Sequence, residues 1–207
     1  QQSLPVIKGL KEIEPSCLVL VSFFSPSGFN YAGHELVDCK FYLPFDFIWS
    51  IQKTLTIINP KKIIFAGYDI WPNLVWISNL RNIHTTIFAT HINSRSPKLY
   101  PVIKNFYRSI YDSFSTIYTI SGLDYLHLQK IVNTRNSPLI RVLGNPRFDH
   151  VKDRADSFSK ERTKSLLDRK KRIIAGSVWT EDESIIFEPL IQLLKENKEI
   201  FLLWIPH

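Results

Sequence analysis

The stretch KKIIFAGYDIWPNLVW, Lys61 to Trp76, decides the fold. Two lysines lead into Ile63, Ile64, Phe65 and Ala66, a run too short for a buried helix and suited to a buried strand. Gly67 ends it. Asp69 stands two residues before Trp71-Pro72, and a proline in a first helical turn sacrifices no needed N–H. The sequence therefore predicts a helix from there, continued by Leu74, Ile77, Ser78 and Leu80. A strand that runs through a short loop into a helix is the βα unit of a doubly wound sheet, whose ligands bind at the carboxyl ends of the strands. Gly67, Tyr68, Asp69 and Asn73 occupy positions where chemistry is expected.

Outward from this stretch the chain alternates. An amphipathic helix (Leu4, Ile7, Leu10, Ile13) precedes a buried strand, Cys17 to Phe24, and Ser25 to Gly33 reads as a loop or a loop-to-helix turn. Val37 to Pro44 is a second strand. Phe47, Ile48, Ile51, Leu55 and Ile58 fall at helical spacing, and Asn59-Pro60 stops that helix before the Ile63 strand. Beyond Trp76 come a strand (Thr85 to Ala89), a polar loop (Thr90 to Pro97), a helix (Lys98 to Tyr111), a strand (Ser115 to Ile120), a helix (Gly122 to Val132) and a strand (Leu139 to Leu143) ending in GNPRFD. Lys152 to Lys170 is charged and reads as a solvated helix, and Arg172 to Ser177 as a buried strand. Thr180 with Glu183 fits a capping box opening a helix to about Lys195, and Glu199 to Ile205 is the last strand. Strands alternating with helices imply an α/β fold with a mostly parallel sheet covered on both faces.

The 207 residues, 44% hydrophobic, are enough to bury a good core in one large domain or two small ones. No Met occurs, Gln1 opens almost directly into a helix, and the sequence stops on the apolar run EIFLLWIPH, so it reads as an interior piece of a longer protein. No apolar run reaches the roughly 18 residues of a membrane span. Cys17 and Cys39 lie in expected strands without C-x-x-C spacing, which favours a reduced setting. A net charge of +7 points to an anionic partner: nucleic acid, a phosphorylated substrate or an acidic lipid surface.

Polar residues collect in the loops that follow strands. Ser25, Ser27 and Gly28 offer hydroxyls and backbone to sugar or phosphate oxygens, or form a plain turn. Asp69 either orients hydroxyls or caps its own helix. His91, Asn93, Arg95 and Ser96 follow the fourth strand, and an arginine there can fork onto phosphate or carboxylate. Asn145, Arg147 and Asp149 follow the sixth strand, while Ser177 and Thr180 stand at a helix N-terminus, where free N–H groups favour anions. No dinucleotide, P-loop or zincin fingerprint occurs, and six histidines without ligand spacing predict no metal site. The five tryptophans fall in or beside apolar elements and read as core rather than as stacking platforms, which leaves RNA binding the weaker alternative.

The ordered set FFSPSG, FYLPFD, DIWPN, NSRS, GNPRFD and AGSVWTEDE resembles the 3-deoxy-D-manno-octulosonic acid (Kdo) transferases of lipopolysaccharide assembly, over nearly the whole chain. The resemblance implies a GT-B glycosyltransferase with two Rossmann-like domains, the first taking a lipid A precursor and the second binding CMP-Kdo. On that basis residues 1–145 are most of the first domain and 146–207 the opening of the second. It further implies acceptor contacts from Ser25, Ser27, Asp69, Asn73, Arg95 and Ser96, and donor contacts from Asn145, Arg147, Ser177, Thr180 and His207. The family's catalytic carboxylate is expected just before the position of Gln1, so no base is named here. Gly67-Tyr68-Asp69 keeps only the second acid of the family's Glu-x-Glu, in shortened form, and Arg147 stands where Lys is common. CMP-Kdo is implied as donor substrate with no separate cofactor. The implied partners are the lipid A precursor and an anionic membrane surface, without nucleic acid, at the cytoplasmic face of a bacterial inner membrane. Another GT-B nucleotide-sugar transferase, or a binding module of that fold without activity, is the alternative.

Overall fold

The computed structural model describes residues 3–31, 35–67, 69–133, 138–157 and 171–207. It divides the chain into two compact units, Gln1–Arg154 and Ala155–His207. The first carries α1 (Leu4–Ile13), β1 (Leu20–Phe23), α2 (Pro26–Tyr31), β2 (Cys39–Tyr42), α3 (Ile48–Ile58), β3 (Lys62–Ala66), α4 (Pro72–Leu80), β4 (His84–Thr90), α5 (Pro101–Tyr111), β5 (Thr116–Thr119), α6 (Gly122–Gln129) and β6 (Leu139–Val142). Helix α7 (Pro146–Asp156) follows and contains the division. The second unit holds β7 (Lys171–Val178), α8 (Thr180–Glu196) and β8 (Ile200–Pro206). Tyr68, and residues 158–170 of the stretch expected as a solvated helix, lie outside the described residues.

Among the described residues every strand pairing is parallel, as the alternation requires, but the strands form three sheets instead of one: β1-β2, β3-β4-β5-β6 and β7-β8. Within the four-stranded sheet Ile64, Thr86, Thr116 and Leu139 lie in register. Strand β3 is at its edge, which explains why the expected buried run is buried only at Phe65, with Ile64 37% exposed. The β1-β2 pair approaches it through side chains: the Phe24 and Trp71 rings are 5.0 Å apart. Lys11 of α1 pairs with Asp38 at 2.8 Å, and Asp38 also accepts from the Val19 N–H at 2.7 Å, which ties α1 to the start of β1 and β2. Those two bonds hold the Asp38 carboxyl below the usual carboxylate range.

The core lies between the four-stranded sheet and its helices. Ile51 and Leu55 of α3, Leu74, Val75 and Ile77 of α4, Ile87, Ile110, Tyr111, Ile117 and Leu128 are buried together. Each large side chain so removed from water stabilises the fold by about 1.5–3 kcal/mol relative to exposure. Burial pushes the Tyr111 phenol up, and it takes a hydrogen bond of 2.9 Å from Lys98. The expected helix from Lys98 is broken: a 3-10 turn at Pro97–Leu99 precedes α5, because Pro101 drives Tyr100 into an extended conformation. Cys17 and Cys39 are free thiols. Trp49 and Trp179 are exposed, 70% and 55%, which corrects the expectation that all five tryptophans are core.

Helix α4 is capped from a distance. Asp46, in the loop between β2 and α3, accepts from the N–H groups of Asn73 (2.9 Å) and Leu74 (3.1 Å). The local N-cap position is Trp71, which has no side-chain acceptor to give. Asp46→Ala should therefore lower stability by about 1 kcal/mol, within the 0.5–2 kcal/mol span of lost caps, in thermal or urea unfolding of the protein. A change no larger than that of a surface substitution would show that the bonds contribute nothing.

Candidate functional site at the carboxyl ends of the strands

Parallel strands deliver all their following loops to one end of the sheet, and the polar residues of the first unit gather there. After β1, the Ser25 hydroxyl accepts from the Gly28 N–H at 3.2 Å and lies 3.3 Å from the Ser27 hydroxyl. Ser25 thereby caps α2. A Cβ at Gly28 would sit 3.1 Å from both the Phe23 ring and the Ser25 Oγ, so a larger residue there has to push one of these side chains aside. After β3, Gly67 adopts φ +67° and donates to the Phe88 carbonyl at 2.9 Å. Asp69 is exposed and does not cap α4; among the described residues it makes no hydrogen bond or ion pair. The Asn73 amide is taken up by the Asp46 carbonyl at 2.5 Å.

The loop after β4 is the most strongly held. Ala89, 2% exposed, adopts φ +54° where the β4-β5 register shifts between Ile87 and Thr90. A non-glycine residue in this region stores about 1–3 kcal/mol of strain, and it persists where neighbours over-determine it. They do so through α6. Asp124 is buried, and its Oδ1 accepts from the Ile92 N–H (2.9 Å) and lies 2.6 Å from His91 Nδ1. Its Oδ2 accepts from the Ser121 N–H (3.0 Å) and hydroxyl (2.5 Å). One turn on, His127 Nδ1 meets the Ile92 carbonyl at 2.6 Å. Two side chains three residues apart thus grip both polar groups of one peptide unit's residue. Burial opposes ionisation of Asp124, but the Ser121 hydroxyl, the Ile92 N–H and His91 outweigh it and hold the carboxyl below the usual carboxylate range. Asp46, Asp124 and His127 were not singled out by the sequence reading; the pattern Ser121-x-x-Asp124, a capping box, was the signal available.

Beyond this grip the loop turns on Asn93, whose side-chain oxygen accepts from the Arg95 N–H at 3.1 Å. The loop after β6 repeats the device. Gly144 takes φ +95°, and the Asn145 oxygen accepts from the Arg147 N–H, also at 3.1 Å. Asn145 therefore caps α7, and Arg147 lies in that helix's first turn. Both arginines are exposed, and neither guanidinium has a partner among the described residues. Strands β4 and β6 flank β5, so Arg95 and Arg147 emerge at the same end of one sheet. Ser96 is half-buried and precedes the 3-10 turn.

In the second unit, Ser177 and His207 come together at the carboxyl end of the β7-β8 pair, and Thr180 opens α8 after β7. Ser177 adopts φ +58° at a register shift, and its hydroxyl lies 2.8 Å from His207 Nδ1. The His207 ring stacks on Trp179 with centroids 3.8 Å apart. The expected capping box does not form: the N-cap is Trp179, which has no side-chain acceptor, its N–H donates to Asp182 at 3.1 Å, and Thr180 is the first helical residue.

Alternating parallel units with polar loops at the carboxyl ends define an α/β, Rossmann-like protein of the GT-B type. A crystal structure titled UDP-N-acetylglucosamine 2-epimerase shares this fold, with a TM-score of 0.67 at 13% identity over 97% of this chain and 57% of that one. The sequence profile of the 3-deoxy-D-manno-octulosonic-acid transferase (kdotransferase) family matches residues 1–150. This chain belongs to that family. A relative from Haemophilus influenzae named 3-deoxy-D-manno-octulosonic acid transferase is 28% identical over 98% of this chain and 48% of its own length. One of the same name from Rickettsia typhi is 24% identical over 99% of this chain and 44% of its own. The chain spans about half the length of these relatives.

Asp124 makes stability pH-dependent with a fixed sign. Its folded pKa lies below the unfolded value of about 3.9, so its contribution is complete above that value and is lost as pH falls through the lower, folded one. Thermal midpoints followed by circular dichroism should drop below about pH 4 more steeply for the native sequence than for Asp124→Asn. Parallel profiles would mean that this carboxylate is not the ionised anchor of the loop.

Proposed function

We propose that the protein carrying this chain is a glycosyltransferase that moves Kdo from CMP-Kdo to a lipid A precursor. The observation that carries this reading is the family match over residues 1–150. In the reaction a lipid-sugar hydroxyl oxygen attacks the anomeric carbon of Kdo, the bond from that carbon to the phosphate oxygen breaks, and CMP leaves with the electron pair. The hydroxyl proton passes to a base, which is assigned to none of this chain's residues. The leaving phosphate needs charge compensation, for which Arg147 and the start of α8 at Thr180 are each suited. Arg95, held out by its Asn93 turn, and the exposed Asp69 are suited to positioning the acceptor. Ser177 and His207, already joined by a hydrogen bond, would face the donor.

A lipid acceptor also calls for a surface that meets a bilayer. Exposed rings run from Phe24 through Phe45 and Phe47 to Trp49, with centroids 5.9, 6.2 and 5.2 Å apart in turn. Exposed phenylalanine rings suit the apolar side of a bilayer boundary and Trp49 the membrane–water interface itself, and the basic net charge favours anionic lipids. Among the described residues no helix is long and apolar enough to cross a membrane. The reading is therefore of docking at an anionic inner-membrane surface on the side where CMP-Kdo is available.

In the full-length protein, lipid-dependent release of CMP from CMP-Kdo should be observed, and Arg147→Ala should cut turnover by about 10²-fold, the effect of one lost transition-state donor. Its thermal midpoint should hardly move, because the side chain has no partner to lose. Unchanged kinetics would remove Arg147 from the site, and release from another nucleotide sugar in place of CMP-Kdo would redirect the donor assignment. Vesicle sedimentation should show binding to anionic vesicles that weakens with added salt and falls on Trp49→Ser. Equal binding to neutral and anionic vesicles would count against the membrane reading.

A further inference from the structure

His91 leaves β4 next to the strained Ala89 and to Thr90, whose buried hydroxyl has no hydrogen-bond partner. Its ring is half exposed, 45%, yet rests at 2.6 Å on a buried carboxylate. The structural work of Asp124 is complete without it: the Ser121 N–H and hydroxyl and the Ile92 N–H already cap α6 and fix the loop. His91 is an addition to that anchor. An ionised carboxylate only accepts, so Nδ1 carries a proton in both charge states of the ring, and Nε2 is left for another group. Among the described residues nothing takes it.

We propose that His91 is an oxyanion-binding residue of this loop, its ring oriented by Asp124 so that Nε2 donates to a phosphate-type group. The inference rests on the reading that this end of the sheet receives phosphorylated substrates. Residues 89–97 contain no acid, and Arg95 is four positions on, so the loop offers an anion two donors and no repulsion from its own side chains. A ring with its proton on Nδ1 alone only accepts at Nε2, so it is the doubly protonated ring that donates to the anion there. Of the other ionisable groups on the elements packed here, His127 of α6 spends its Nδ1 on the Ile92 carbonyl, and Arg95 adds a like charge on the loop itself. Acceptor phosphates and the phosphate of the nucleotide donor share this chemistry.

The test uses the full-length protein with its histidine ring carbons labelled. Titration with inorganic phosphate at constant ionic strength near pH 6, close to the usual imidazole value, should shift the His91 resonance saturably and leave that of His127 in place. The affinity should fall about tenfold in Asp124→Asn. In transfer assays His91→Gln should raise KM about tenfold for whichever substrate supplies the oxyanion, with kcat within about twofold. A rise confined to the phosphorylated acceptor, absent with a dephosphorylated one, assigns the acceptor; a rise confined to CMP-Kdo assigns the donor. No saturable shift of His91 with phosphate, or KM values for both substrates unchanged from the native protein in His91→Gln, overturns the proposal. A parent protein that transfers no Kdo would refute the proposed function, while the phosphate titration would still decide this inference.

Discussion

Parallel pairing brings all the crossover helices of a sheet to start at the same end, so a set of free N–H groups accumulates there and must find acceptors. In this protein the acceptors are side chains of the connecting loops and of the first helical turns. Ser25 serves α2, Asp46 serves α4, Ser121 and Asp124 serve α6, Asn145 serves α7, and Asp182 serves α8 in the second unit. Each such cap contributes about 0.5–2 kcal/mol. Two of them reach beyond their own helix: Asp46 crosses from the β2 loop to α4, and Asp124 reaches from α6 to Ile92. These long reaches turn separate loops into one surface. The carboxyl end of the sheet is thus held by side-chain to backbone bonds between its loops and helices.

The same requirement explains what the sequence could convey. Ile63 to Ala66 followed by Gly67 and Pro72 announced a strand, a turn and a helix start, because steric and burial rules act locally. Which strands share a sheet is not local. Strands β1 and β2 are only four residues long and join the β3 loop through the Phe24–Trp71 contact rather than through backbone bonds, a choice no periodicity records. Polar loop residues raise a second ambiguity, since capping and ligand binding select the same types. Asn145 and Ser25, expected to meet substrates, spend oxygen atoms on helix starts, whereas Asp69, as good a cap by type, is left exposed. Asp124 could be paired with Ser121 by spacing, but its hold on Ile92 spans 32 positions and appears only in three dimensions.

Charge sorts what remains. Once the caps are removed from the candidate set, the charged groups left unspent among the described residues of the loops that follow the first unit's strands are Arg95 and Arg147 on matching Asn-x-Arg turns and the single acid Asp69. A turn that fixes the backbone of an arginine reduces the freedom its side chain must lose on binding, which favours a two-pronged contact over a diffuse one. Both turns lie at the carboxyl end of the same sheet with β5 between them, suited to a ligand carrying more than one anionic group.

Strain marks the same places in both units. Ala89 and Ser177 each hold a left-handed backbone at a register shift in the last residues of a parallel strand. Such a shift adds twist and redirects the residues that follow, which an unbroken strand would continue in simple alternation. In β4 the redirected residues are Thr90 and His91; in β7 the strained residue itself presents its hydroxyl to His207. Neither position is a glycine, although glycine would take this conformation without penalty. At position 177 the reason is chemical, because glycine would remove the hydroxyl. At position 89 the methyl is 2% exposed between sheet and helix, so its packing offsets part of the strain, and the backbone that launches His91 is held to a single conformation by contacts on both sides.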